Sequence, residues 1–180
     1  GSGNVSMTNL VSNTGVVSTD VSGVGTGRAQ IAACSYDSDK GIFGFGHDGS
    51  SALSMTNLVS NAGVVATDTT GVGTARYAPA ATQYGQDKGI FGFGSTGSNT
   101  AVTNLVSNAG VVSTDVTGVG TARGAVPGAC EYGGDKGIFG FGHDGSSFVS
   151  LTNLVSNAGV VAADVTGVGT ARGYMTACSY

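Results

Sequence analysis

Tryptophan is absent from this chain, proline and histidine occur twice each, cysteine three times, and charged residues make up only 10% of its 180 positions. Each scarcity excludes something. Seven Lys and Arg against eleven Asp and Glu give a net charge of −4, so no basic surface exists to attract nucleic acid or anionic lipid. No apolar run approaches the roughly 18 residues that span a bilayer, and no basic start followed by an apolar run marks a signal peptide. Neither nucleic acid binding nor membrane insertion is expected. Cys34, Cys130 and Cys178 share one repeat position, filled by Thr82 in the remaining copy. An odd count cannot pair fully within one chain, and Thr as the substitute suits a small buried side chain better than a bridge or a metal ligand. With no CxxC, and no His near a Cys in sequence, neither a metal nor a cofactor is expected.

Glycine, by contrast, is abundant, with 33 residues, and it marks a repeat. "TNLVSN" begins at Thr8, Thr56, Thr103 and Thr152, and "DKGIFGFG" begins at Asp39, Asp87 and Asp135, a period of about 48 residues. The closing "ACSY" (177–180) matches the "ACSY" of 33–36, which continues into "DSDKGIFGFG". Four full periods therefore exceed the chain by one "DKGIFGFG" segment and its flanks. The opening "GSGN", which lacks Met, aligns with "GSSA" at 49–52 and "GSSF" at 145–148, so it reads as part of the repeat in a processed, excised or partial product.

Turn signals cut each repeat into four short pieces rich in Val, Ile, Phe, Thr and Ala: "AQIAACSY" (29–36), "GIFGFG" (41–46), "ALSMTNLVS" (52–60) and "GVVATDT" (63–69). All are too short for helices. Strict alternation in "GIFGFG" places Phe43 and Phe45 on one face and Ile42 and Gly44 on the other. "VSLTNLV" is apolar on both faces. A four-stranded antiparallel sheet covered on both sides and recurring every 48 residues predicts an all-β fold of radially stacked blades, a β-propeller.

The stretch "DKGIFGFGHDGSSFVSLTNLVSNAGVVAADVTGVGTARGYMTACSY" (135–180) resembles a kelch repeat, with Gly140 and Gly142 ending a strand, Asp144 and Gly145 in the following turn, and Thr170 and Arg172 opening the next innermost strand. The phrase is also similar to tandem repeats of bacteriophage and environmental viral structural proteins. The family's adjacent double glycine appears here as Gly-Phe-Gly, and its outer-strand Trp is missing. Propellers of the chromosome-condensation-regulator type and a Gly/Thr-rich β-solenoid are the alternative architectures. The resemblance implies about four 48-residue blades: 29–76, 77–123 and 124–171, and a fourth split between outer strands in 1–28 and an innermost strand in 172–180. That composite blade would lack its second strand. An excised peptide, a partner chain, or a longer array cut at this point would each account for the gap.

Most charges recur by position: Asp20, Asp68, Asp115 and Asp164; Arg28, Arg76, Arg123 and Arg172; and the Asp-Lys pairs at 39–40, 87–88 and 135–136. A catalytic site needs one asymmetric constellation, whereas charges copied into every repeat read as ties, each Arg bonding a nearby "TD" aspartate or loop carbonyls. Asn9, Asn57, Asn104 and Asn153 recur on an otherwise apolar strand face and need satisfied amides. "GVGTAR" recurs without a following helix and reads as a turn, not a dinucleotide fingerprint. Both histidines stand in "HDG" turns, which gives a Ser-His-Asp triad no support. The copies differ at 29–38, 77–86 and 124–134 and in the turns after "GIFGFG", the channel and rim of the predicted fold. His47, Asp48, His143, Asp144, Tyr77 and Glu131 are accordingly the candidate ligand-binding residues. The reading is a non-enzymatic binding or structural module. Its expected partners are a protein or glycan ligand, or a second copy joined through unpaired strand edges. The Ser, Thr, Asn and Gly content matches a surface or virion setting; a lectin-like propeller and an enzyme at the channel mouth are the alternatives.

Overall fold

The computed structural model describes residues 3–125 and 127–179. Gly1, Ser2, Val126 and Tyr180 fall outside it, and with them the start of "GSGN" and the expected strand end at Tyr180. The described residues form an all-β structure of three three-stranded antiparallel sheets, none closed into a barrel. These are β1 (Ala32–Tyr36), β2 (Lys40–Gly44) and β3 (Thr56–Val59); β4 (Ala80–Tyr84), β5 (Lys88–Gly92) and β6 (Thr103–Val106); and β7 (Gly128–Tyr132), β8 (Lys136–Gly140) and β9 (Thr152–Val155). The register repeats from sheet to sheet: Cys34 faces Ile42 and Ile42 faces Leu58, as Thr82 faces Ile90 and Ile90 faces Leu105.

The fourth expected strand is present only as an outer stretch held by single bridges, Thr56 to Thr69 and Val59 to Val65, repeated as Thr103 to Val116 and Val106 to Val112. Between the two bridges the register slips by one residue, which is a bulge on the outer stretch. The bulge breaks the regular ladder and turns Asp68, Asp115 and Asp164 inward onto the Asn of the neighbouring strand, at 2.9 Å in each unit.

The reading of Phe43 and Phe45 on one face is corrected. Phe45, Phe93 and Phe141 adopt left-handed backbone, with φ of 62°, 61° and 63°. That conformation is costly for a large side chain, and it reverses the alternation the extended pattern predicts. Phe43 therefore faces the preceding unit, while Phe45 packs edge-on against Phe91 of the following one, centroids 5.1 Å apart. Phe93 meets Phe139 in the same way at 5.2 Å.

The core lies between units. Tyr36, Ile42, Phe45, Phe91 and Val106 bury one another between the first and second sheets, and Ala80, Tyr84, Ile90, Phe93, Phe139 and Val155 between the second and third. Small residues allow the close approach. A Cβ on Gly44 would stand 2.7 Å from Phe91, and one on Gly89 would stand 2.5 Å from the Cys34 sulfur. Thr82 covers Gly137 as Cys34 covers Gly89, which is why the two residue types exchange at this position.

Candidate functional site

The repeated polar residues are used up in ties. Asp68 accepts from the Thr26 amide and hydroxyl at 2.9 and 2.8 Å and from Asn57, and Arg28 reaches Asn57 Oδ1 and the Met55 carbonyl. Asp164 repeats this with Thr121 and Asn153, and Arg123 bonds Asn153 and lies 3.4 Å from Asp164. Arg76 instead bonds the Phe93 and Thr74 carbonyls, leaving its Nη2 and Asn104 Oδ1, partners in the other copies, buried without a bond. Both expected kinds of tie occur: Arg28, Arg76, Arg123 and Arg172 donate to backbone carbonyls, and Arg123 also pairs with Asp164, while the aspartates are held chiefly by Thr and Asn. Burial pushes the Asp68, Asp115 and Asp164 carboxyls up. The hydrogen bonds from Thr and Asn, with the nearby Arg charge, outweigh it and leave all three below the usual carboxylate range.

What is asymmetric gathers at one end of the inner strands. Gln30, Ala78, Ala125 and Tyr174 occupy equivalent positions with left-handed backbone, φ of 54°, 52°, 55° and 55°. All four line one pocket of about 390 Å³, with Tyr77, Ser95, Asn99, His143 and Phe148. Backbone bonds link neighbours, Ala78 N–H to the Gln30 carbonyl at 2.9 Å and Tyr174 N–H to that of Ala125 at 2.8 Å. Strain in sparsely populated backbone repeated around a pocket is stored where the surrounding ties over-determine it. Aromatic rings wall the site: His47 on Tyr77 at 5.6 Å, His143 on Phe148 at 5.2 Å, and Phe148 near Tyr174 at 6.4 Å.

Of the candidate residues, Tyr77 and His143 therefore line this pocket, and His47 meets Tyr77 edge to face. Asp48 and Asp144 stand in the adjoining turns, each accepting two backbone N–H groups, from Ser50 and Ser51 and from Ser146 and Ser147. Those bonds hold both carboxyls below their ordinary range. Each His Nδ1 accepts from a glycine N–H, Gly49 or Gly145, so the rings brace their own turns. Glu131 lies elsewhere, in a second cavity lined by the inner strands themselves, where Cys34, Thr82, Cys130 and Cys178 come together. Gln30, Phe148 and Tyr174 were not singled out in the sequence, although Gln30 falls within a variable segment and Phe148 in a variable turn. Among the described residues no group of three His, Cys, Asp or Glu is placed to hold a metal ion.

No protein-family model matches this chain, and no curated protein matches it.

Proposed function

We propose that the chain is a non-enzymatic β-propeller of kelch type, a binding and structural module whose recognition surface is the rim pocket. The observation that carries this reading is the division among its polar and aromatic groups. Most of those that recur in every copy are bonded in ties, while Gln30, Tyr77, Asn99, His143, Phe148 and Tyr174, which differ between copies, converge on one pocket. Four equivalent positions meeting at each of two cavities support a radial arrangement over a linear stack. The composition fits a surface or particle-borne protein.

A lectin-like reading is favoured by the lining itself. The aromatic rings of Tyr77 and Phe148 beside the Gln30 amide suit a sugar ring, apolar on one face and rimmed with hydroxyls. The test is amide-shift mapping while the chain is titrated with a panel of oligosaccharides and short peptides. Saturable shifts at Tyr77, Ser95, Asn99 and His143, abolished by Tyr77→Ala at unchanged melting temperature, are expected. A flat response to every sugar removes the lectin-like reading. Shifts that map away from the rim remove the rim as the recognition surface.

A further inference from the structure

A groove of about 910 Å³ is distinct from the rim pocket. It runs between residues 8–18 and the β2 face that carries Gly41 and Phe43. Residues 8–11 are the copy of β3, β6 and β9 in the incomplete unit. Their outer edge is engaged, with Thr8 and Val21 exchanging backbone bonds and Ser18 N–H donating to the Leu10 carbonyl. By alternation along an extended strand, the backbone groups of Asn9 and Val11 point the other way, into the groove. In the complete units this second edge pairs with the "KGIFG" strand, where Phe43 faces Asn57 and Gly41 faces Val59.

Side-chain exposure follows the same division. Val11 is 64% exposed, whereas Val106 and Val155 are fully buried, and Phe43 is half-buried where Phe91 and Phe139 are fully buried. Gly140, at the equivalent position in the third unit, has no aromatic ring over it. A Cβ there would meet only Thr152, while Gly44 and Gly92 are capped by Phe91 and Phe139.

We propose that this groove is an acceptor for one extended segment of the repeat's own type, Asp-Lys-Gly-Ile-Phe-Gly-Phe-Gly. The segment adds antiparallel to residues 7–11, its first Phe opposite Asn9 and its first Gly opposite Val11, by strand addition. The three complete units supply the template. In the first two of them the segment's inner Gly sits where the neighbouring Phe ring leaves no room for a Cβ, and in the first its second Phe N–H donates to the carbonyl of Met55, the counterpart of Met7, at 3.0 Å. The groove therefore selects for glycine at that place as well as for β-forming residues around it. This reading does not depend on what the rim pocket binds.

The test is calorimetric titration of the whole chain with synthetic DKGIFGFG, compared with two altered peptides. Saturable one-to-one binding is expected, with a raised melting temperature by mass action. Replacing the glycine between the two Phe residues by Val should weaken binding at least about tenfold through overpacking on Phe43. N-methylation of both Phe residues, which removes the donors to Asn9 and Met7, should weaken it by at least about tenfold as well. Equal affinity for the Val peptide, or no binding of the parent peptide, overturns the proposal. So does a dimer by sedimentation that the peptide fails to dissociate, since the edges at residues 8–11 of two copies would then be paired with each other.

Discussion

Arg76 lies across Phe45, its guanidinium carbon 4.0 Å from the ring centroid. Arg123 covers Phe93 at 4.2 Å and Arg172 covers Phe141 at 4.0 Å. The left-handed Phe of each unit is thus a platform. Its face carries the Arg that opens the following inner strand, and in the first two units its edge carries the following unit's Phe. Burial pushes the Arg76 guanidinium down to about 10, which leaves it charged at neutral pH and in need of every acceptor around it.

The three arginines should consequently differ in weight. Arg76 and Arg123 are fully buried and hydrogen-bonded except at Arg76 Nη2 and Arg123 Nε, and Arg172 is exposed with only the Thr170 carbonyl as a hydrogen-bond acceptor. Arg123→Ala should cost about 2–4 kcal/mol, from the lost stacking and charge-assisted hydrogen bonds. Arg172→Ala should fall within about 0.5 kcal/mol of the parent. Thermal melts of the two variants side by side check this; equal losses would show that the ties do not carry the scaffold.

Acid should weaken the same ties. Asp68, Asp115 and Asp164 have folded values below the roughly 3.9 of an unfolded Asp, so they bind protons less readily when folded. Their contribution is complete above the unfolded value and is lost as pH falls through the folded one. Melting temperature should fall steeply below about pH 4, and Asp115→Asn should make that fall shallower. A variant with the parent's acid limb contradicts the assignment.

The thiols should separate by reactivity. Burial pushes Cys34 up to about 12, against the weaker opposing effect of its bond with the Ile90 backbone, while Cys178 is exposed. A thiol reagent at pH 8 should label Cys178 promptly and Cys34, half-buried with its sulfur against Gly89, far more slowly. Cys34→Thr, which copies Thr82, should leave the melting temperature near the parent's. Rapid labelling of Cys34 in the folded chain would place it outside the contact with Gly89.

Glycines at one repeat position should tolerate alanine unequally. A Cβ at Gly92 would stand 2.9 Å from the Phe139 ring, whereas one at Gly140 meets Thr152 at 3.3 Å. Gly92→Ala should cost about 1–3 kcal/mol through overpacking, and Gly140→Ala distinctly less. Matched denaturation curves decide it.

Much of this was legible in the sequence because a repeat gives four readings of one unit. The all-β class, the inner three strands and the small-residue role of Cys34 and Thr82 followed from turn signals and from what replaces what. The satisfied amides of Asn57 and Asn153 followed from the cost of burying a polar group unpaired. Period-two reading failed at Phe45, because it assumes extended backbone and no local signal beyond the following Gly46 announces a left-handed Phe. The expected fourth strand at 63–69 is likewise not a regular one, because a bulge turns Asp68 onto Asn57 and leaves only single bridges. Tyr174 and Phe148 were invisible as a pair because only the meeting of successive units brings them together.

The central claim is that three units are complete and a fourth is open along residues 8–11. Hydrogen exchange at equivalent amides tests it most directly. The Val11 amide faces the groove, while Val106 and Val155 face Gly89 and Gly137 across a paired ladder. In the free chain Val11 should exchange orders of magnitude faster than Val106 and Val155. Protection of Val11 equal to theirs, with no peptide added, would contradict the account.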